Sequence, residues 1–80
     1  MYYVYGLKSK IAKHFYIGQT VNVESRFILH NNGKVKSTKN FTPWKLVFSE
    51  EYKTRLEAVR REKYLKSHAG RNWLKKYYKD

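Results

Sequence analysis

Tyr2-Tyr3-Val4-Tyr5-Gly6 and Phe15-Tyr16-Ile17-Gly18 are two short aromatic segments near the start of the chain, and the predicted fold is built outward from them. Both are rich in aromatic and β-branched residues, which is typical of β-strands. The basic segment between them is short enough to close a hairpin. Such a hairpin would bring Tyr5 close to Tyr16, and two neighbouring phenols can serve either core packing or chemistry.

The first strand is predicted over residues 2–7 and the second over residues 14–18. Alternation along the first strand places three of its residues on each face, and both faces are largely apolar: Tyr3, Tyr5 and Leu7 on one, Tyr2, Val4 and Gly6 on the other. A strand that is apolar on both faces needs cover on both. We therefore expect the first strand to be central, with helices packed nearby.

The remaining elements are predicted from periodicity and capping signals: a helix over residues 23–30, a loop over 34–44, a third strand over 45–52, a helix over 55–68 and a short basic helix over 71–79. Asn22 is the expected N-cap of the first helix. Thr54 and Glu57 form a capping-box pattern before the second. Gly70 is the expected stop of that helix.

Charge is the dominant compositional feature of the 80 residues, which make one domain spanning residues 1–80. Eighteen Lys and Arg stand against six Asp and Glu, a formal net charge of +12. Such a field attracts polyanions, with nucleic acid the first candidate and an acidic membrane surface the second. No apolar run approaches the roughly 18 residues that a membrane span needs. The chain has no cysteine, which fits a reducing compartment, so a cytoplasmic location is expected.

Glu62 has an unusual position in the second helix. At about 100° per residue it falls within an apolar stripe, which consists of Ala58, Leu65 and Ala69. An inward carboxylate is costly unless it is paired or bound to a metal. Two interpretations stay open: an ion pair with Arg26 or Arg61, or a metal ligand.

The first helix carries Arg26 and His30 four residues apart, so both project from the same side. Its apolar stripe is predicted to contain Val23, Phe27 and Ile28. The loop that follows mixes lysines with hydroxyl and amide side chains, a composition that suits phosphate contacts as well as simple solvation. Its candidate nucleic-acid-binding residues are Lys34, Lys36 and Lys39.

The order of these parts resembles the GIY-YIG nuclease superfamily, and in particular its small single-domain branch. Tyr3-Val4-Tyr5 stands in place of the first signature, and Tyr16-Ile17-Gly18 matches the second. The resemblance continues to the end of the second helix through Gly18-Gln19-Thr20, Arg26-Phe27, His30-Asn31, Pro43-Trp44-Lys45-Leu46-Val47, Glu57-Ala58, Arg61-Glu62 and Leu65-Lys66.

The resemblance implies an α/β fold of the α+β type: a three-stranded antiparallel sheet with the first strand central, flanked by about three helices. It also implies an endonuclease that hydrolyses DNA with one divalent cation, Mg²⁺ or Mn²⁺. Glu62 would be the metal ligand and Arg26 the stabiliser of the transition state. Tyr5 would be the general base or water-positioning phenol, with Tyr16 beside it, and His30 would share proton transfer or contact phosphate. Asn72 is the nearest candidate for the asparagine that follows the glutamate helix in the family.

The expected substrate is duplex or branched DNA, in a repair or recombination role. Members of the superfamily gain target choice from appended domains, so a protein partner is expected to supply specificity here. Two other functions fit the same charge: a non-catalytic nucleic-acid-binding module of the same fold, and a basic adaptor for an acidic protein or membrane. For the enzyme, we expect the two phenols, Arg26 and Glu62 to meet in one concave, positively charged pocket.

Overall fold

Three strands and three α-helices follow one another along the chain in the predicted order. The computed structural model describes residues 1–78, so Lys79, the last residue of the predicted C-terminal helix, lies outside the described residues. The elements are β1 (Tyr2–Ser9), β2 (Phe15–Thr20), α1 (Val23–Asn31), a short 3-10 turn (Lys39–Phe41), β3 (Trp44–Tyr52), α2 (Arg55–Lys66) and α3 (His68–Tyr77).

The three strands form one antiparallel sheet in the order β2-β1-β3. The first strand is therefore central, and the predicted α+β fold is confirmed. Tyr5 pairs with Gly18 and Leu7 with Tyr16, which fixes the side chains that share a face. The register between β1 and β3 shifts between Gly6 and Leu7.

Both faces of the sheet are covered, as the alternation of β1 predicts. On one face, Val4 and Ile17 pack with residues of α2 and α3: Ala58, Leu65 and Leu74. On the other face, Tyr5 and Leu7 pack with α1 and with the start of β3 through Val23, Phe27 and Trp44. Each fully buried aliphatic side chain is worth about 1.5–3 kcal/mol of hydrophobic transfer, which a chain this small needs.

Phe48 of β3 covers the middle of the central strand. Its ring lies where a Cβ on Gly6 would be, so a side chain at position 6 would collide with it. Phe48 in turn stacks on Tyr78, with ring centroids 5.7 Å apart, and meets Trp73 edge-on at 6.3 Å. These contacts pack the end of α3 against the centre of the sheet.

The helix-start signals are confirmed. The side chain of Asn22 accepts a hydrogen bond from the Ser25 N–H at the start of α1. Thr54 and Glu57 form both halves of the capping box at the start of α2. At the other end of α1, Gly33 has φ of +71°, the left-handed conformation that ends the helix after Asn31.

The prediction of one helix over residues 55–68 ended by Gly70 is wrong. α2 ends at Lys66, and Ser67 starts α3, its side chain accepting from the Gly70 N–H. Gly70 lies buried inside α3, where a Cβ would collide with the Tyr64 carbonyl oxygen and the Leu65 Cα. The glycine is needed for close approach of two backbones, a requirement that looks the same in sequence as a helix stop.

Other boundaries differ because of tertiary pairing. β1 continues to Ser9, since Lys8 and Ser9 pair with the start of β3. Ile28 is half exposed, so it is not part of the buried stripe of α1. Ala69 is exposed and belongs to α3, so it is not part of the predicted apolar stripe that contains Glu62. Throughout residues 1–78, no helix combines the length and apolar character that crossing a membrane requires.

Candidate active site

Tyr5 lies at the middle of the central strand and is only 1% exposed. Its hydroxyl is 2.9 Å from Nε2 of His30, which α1 presents from the face it covers. His30 is 0% exposed, so this contact between a phenol and an imidazole is shielded from bulk water. A hydrogen bond in such surroundings is electrostatically stronger than one in water.

Thr38 extends this contact into a buried chain of three side chains. Its Oγ1 is 2.8 Å from Nδ1 of His30, and its hydroxyl donates to the Val35 carbonyl at 3.3 Å. Trp44 Nε1 donates to the Thr38 carbonyl at 3.0 Å and holds this part of the loop against the sheet. Thr38 was not predicted as a site residue, because a threonine among loop lysines carries no local sign of a tertiary partner.

Tyr16 closes the site on the β2 side. Its ring centroid lies 6.2 Å from that of Tyr5 and 4.7 Å from that of His30. Gly18, the partner of Tyr5 in the sheet, leaves the space that these rings use. A Cβ on Gly18 would lie 2.7 Å from the Tyr5 hydroxyl oxygen and 3.0 Å from a Tyr16 ring carbon, so a side chain there would displace them.

Burial and the guanidinium of Arg26 determine the pKa values of Tyr5 and His30. Burial raises the pKa of Tyr5 to about 12, although hydrogen bonding and charge from Arg26 act in the opposite direction. Burial and then the positive charge of Arg26 lower the pKa of His30 below its usual 6.5. Both groups are therefore neutral near pH 7, and Arg26 acts on both.

Glu62 approaches from the other side of the sheet. Its Oε1 accepts from the Gln19 side chain at 3.0 Å, and its Oε2 lies 2.7 Å from the Lys66 ammonium. Gln19 alternates with Gly18 along β2 and so faces α2, whereas Tyr5 and Tyr16 face α1. The expectation that the two phenols and Glu62 meet in one concave pocket is therefore wrong, because the sheet separates them.

Of the two interpretations left open for Glu62, the ion pair with Arg26 or Arg61 is not found, since Glu62 pairs with Lys66. Arg61 instead makes a two-pronged contact with Glu50, at 2.9 and 3.1 Å. The side chain of Glu62 is 19% exposed, and both of its carboxylate oxygens have partners.

The edge strand β2 connects the two faces of the candidate site. Tyr5 contacts the position of Gly18, and Glu62 contacts the side chain of Gln19, the next residue of β2. The phenol and the carboxylate therefore lie on opposite faces of the sheet, at adjacent positions of one strand. Within residues 1–78, β2 has a neighbouring strand, β1, on one side only.

Glu62 fits a magnesium or manganese site that is completed by the substrate. Within residues 1–78, no cluster of three or more His, Cys, Asp or Glu could hold a metal alone. Mg²⁺ commonly takes one or two carboxylates and fills its other positions with water and phosphate oxygens. The Lys66 ammonium lies on Oε2 in the structure, so an ion bound at Glu62 would have to take its place.

Lys34, Lys36 and Lys39 are all exposed on the loop that follows α1. The same segment carries Thr38 into the interior, where it is 1% exposed. Asn72, on α3, is exposed and lies 3.4 Å from the His68 ring.

Comparison with known families identifies the domain. The family model described as the GIY-YIG catalytic domain matches residues 1–78. The chain belongs to the GIY-YIG family. GIY-YIG domains are nuclease domains, so the family assignment indicates nuclease-type chemistry and DNA as the class of substrate.

Several relatives are similar over most of their length. A UPF0213 protein of Staphylococcus haemolyticus is 41% identical over 75 residues, covering 92% of this chain and 90% of the relative. A UPF0213 protein of Clostridium perfringens is 45% identical over 67 residues, covering 82% and 71%. The name UPF0213 states no activity, so these relatives support the family and not a particular reaction.

The fold is similar to a solved structure, the solution NMR structure of a UPF0213 protein from Bacillus halodurans. The TM-score is 0.57 at 32% sequence identity, and the match covers 98% of this chain and 86% of the other. This GIY-YIG domain therefore shares its architecture, three antiparallel strands with three helices, with that protein.

Proposed function

We propose that this GIY-YIG domain is an endonuclease that hydrolyses phosphodiester bonds of DNA, assisted by one Mg²⁺ or Mn²⁺ ion. The observation that carries the proposal is the buried chain from Tyr5 through His30 to Thr38. A phenol in contact with an imidazole is arranged for proton transfer, because the imidazole can take the proton that the phenol gives up. Action on DNA in repair or recombination, in the cytoplasm, belongs to the same proposal.

The proton path follows from the hydrogen-bond partners. The Thr38 hydroxyl donates to Val35, so its oxygen accepts from Nδ1–H of His30, and Nε2 is left to accept from Tyr5. When the attacking water gives a proton to the Tyr5 oxygen, Tyr5 passes its own proton to Nε2. This relay avoids a free phenolate, which a pKa of about 12 makes rare at neutral pH.

Arg26 and Tyr16 act on the phosphate and the water. The Arg26 guanidinium cannot lose its charge, and its fork of N–H donors fits two phosphoryl oxygens. It would stabilise the negative charge that develops there during attack. Tyr16, at the mouth of the site beside His30, would orient the water toward Tyr5.

Glu62 is the residue that would hold the metal ion. When bound, the ion supplies Lewis-acid stabilisation of a phosphoryl oxygen. Lys66 must first release Oε2 of Glu62. This costs little, because exposed ion pairs four residues apart on a helix are worth about 0.3–0.5 kcal/mol.

The loop lysines, Lys34, Lys36 and Lys39, would contact backbone phosphates and position the duplex or branched DNA without reading its sequence. Choice of target would then come from DNA shape or from a protein partner.

A second candidate function is a nucleic-acid-binding module that does not cut. Both oxygens of Glu62 have protein partners, Gln19 and Lys66, and this is what a purely structural carboxylate would show. The two functions differ in what Glu62 does once DNA is bound.

The test is cleavage of a panel of duplex, branched and single-stranded DNA with Mg²⁺ or Mn²⁺. We expect the wild type to nick at least one substrate, and Glu62→Gln to abolish nicking while DNA affinity stays equal or rises. Glu24→Gln, which removes an exposed carboxylate of α1, should cut like the wild type. No cleavage by the wild type on any substrate would leave the binding module as the function.

A further inference from the structure

A groove of about 480 Å³ runs along the outer edge of β2. It is lined by residues 13–17 in succession, by the end of α2 and by α3. Successive residues of a strand point to opposite faces, so contact with all five means that the groove follows the edge of the sheet and not one face.

The rim of the groove is strongly basic. Lys13, Lys66, Arg71 and Lys75 line it, and none of its lining residues is acidic. Lys66 is engaged with Glu62. The other three side chains are exposed and form no ion pair with any carboxylate of residues 1–78.

The floor and mouth of the groove are apolar and aromatic. Ile17, Leu65 and Leu74 are buried at its base, and His14 and Tyr16 stand beside it. β2 pairs with β1 on one side only, so alternate backbone N–H groups along its outer edge face the groove as further donors. Cations and N–H donors suit phosphates, whereas flat apolar surfaces suit bases.

We infer that this groove holds an unpaired strand of nucleic acid and leads it to the active site. The inference rests on the proposed function and names its substrate class: DNA with a single-stranded flank. Tyr16 lines both the groove and the active site, and Lys66 joins the groove to Glu62. A duplex would meet only the basic rim and leave the apolar floor unfilled, whereas an unpaired strand presents bases as well as phosphates.

The experiment measures binding in EDTA, so that it does not depend on cleavage. Fluorescence anisotropy would follow three labelled DNAs: a single strand, a blunt duplex, and the same duplex with a single-stranded overhang. The groove variant carries Lys13→Gln, Arg71→Gln and Lys75→Gln. The matched control carries Lys53→Gln, Arg60→Gln and Lys63→Gln, which removes three exposed charges that do not line the groove.

We expect the groove variant to lose about tenfold or more in affinity for the single strand and the overhang, with the salt slope reduced by about 2, as three lost phosphate contacts predict. Blunt-duplex binding should fall less, and the control should keep the wild-type preference for the overhang. Equal losses on all three DNAs, or equal losses in the groove and control variants, would overturn the inference.

If circular dichroism shows that the triple variant folds poorly, the single substitution Lys13→Gln is measured in the same binding experiment. It should show a smaller loss with the same preference among the three DNAs, and no such preference would count against the groove. A wild type that binds overhangs through the groove but never cuts would refute the proposed function and leave this inference standing.

Discussion

Thr38 contributes no reacting atom to the proposed reaction, yet its hydroxyl would decide which nitrogen of His30 presents a lone pair to Tyr5. The oxygen of Thr38 lies 2.8 Å from Nδ1 of His30, and its proton goes to the Val35 carbonyl. Thr38 is a positioning residue in this scheme, because it acts on the phenol only through the imidazole. Its contribution can be separated from packing by measuring the tautomer of His30 directly.

Thr38→Val should therefore slow cleavage without changing DNA binding. The valine leaves Nδ1–H of His30 buried without an acceptor, which costs about 1–3 kcal/mol of stability and favours the other tautomer. We expect a single-turnover cleavage rate lower by about tenfold or more. Imidazole ¹⁵N shifts should show loss of the Nδ1–H form.

Thr42→Val is the matched control, since the Thr42 hydroxyl donates to Lys39 in an exposed turn. It should keep both the rate and the tautomer. A Thr38→Val protein that cuts normally and keeps Nδ1–H would contradict the proposed relay.

His30 also makes stability depend on pH. Burial and Arg26 lower the pKa of His30 in the folded protein, while the unfolded chain returns it to about 6.5. Between those two values the unfolded state binds more protons, so the free energy of unfolding falls as pH drops below about 6.5. The contribution of one such group has a slope of at most about 1.4 kcal/mol per pH unit.

Urea unfolding from pH 7.5 to pH 5 would measure this slope. His30→Gln should show a shallower loss of stability with acid than the wild type. His14→Gln, at an exposed position, should keep the wild-type slope. Equal slopes in the wild type and His30→Gln would mean that His30 is not the group responsible.

At this scale the sequence predicted the proximity of Tyr5 and Tyr16 and the common side of Arg26 and His30, because strand pairing and helical spacing are local rules. It could not predict Thr38, whose partner lies eight residues away across a turn. The predicted inward phase of Glu62 agrees with its side chain, which is 19% exposed. The face of the sheet it meets depends on how α2 crosses the strands, which helical periodicity does not contain.

Among the elements, the junction of α2 and α3 is the part of the fold that sequence patterns misplaced. The capping box at Thr54 was recognisable because its two residues bond to each other. Gly70 was misassigned because a helix-ending glycine and a close-packing glycine are identical in sequence. In the structure α3 passes so close to the last turn of α2 that only hydrogen fits at this position.

The sign of the change in unfolding free energy caused by Gly70→Ala shows whether Gly70 is a flexible helix residue or is needed for close packing. A glycine that served only as a flexible helix residue would be improved by alanine by about 1 kcal/mol. We expect a loss of about 2 kcal/mol or more instead, since a Cβ collides with backbone that cannot move aside cheaply.

Ala69→Gly, at the exposed neighbouring position, supplies the reference value for helix propensity in α3. Chemical denaturation of both variants gives the comparison. Stabilisation by Gly70→Ala would show that the close approach of the two helices is not required.

For the whole molecule, the net charge of +12 predicts DNA binding that weakens steeply with salt. Replacing Lys34, Lys36 and Lys39 with glutamine should reduce the salt slope on duplex DNA by about 2 to 3, if each contacts one phosphate. Titrations at several salt concentrations measure this slope.

The triple variant of Lys53, Arg60 and Lys63 removes the same charge from other exposed positions and should change the slope less. A flat salt dependence for the wild type would argue against phosphate contacts altogether.

The stack of Phe48 on Tyr78 has a consequence for how the chain is made. Tyr2–Ser9 leaves the ribosome well before Trp73 and Tyr78, whose rings complete the aromatic layer over the centre of this strand. The central strand must therefore wait, uncovered on that side, until those two residues have emerged. Final assembly of this fold then follows the synthesis of α3 and does not accompany that of the sheet.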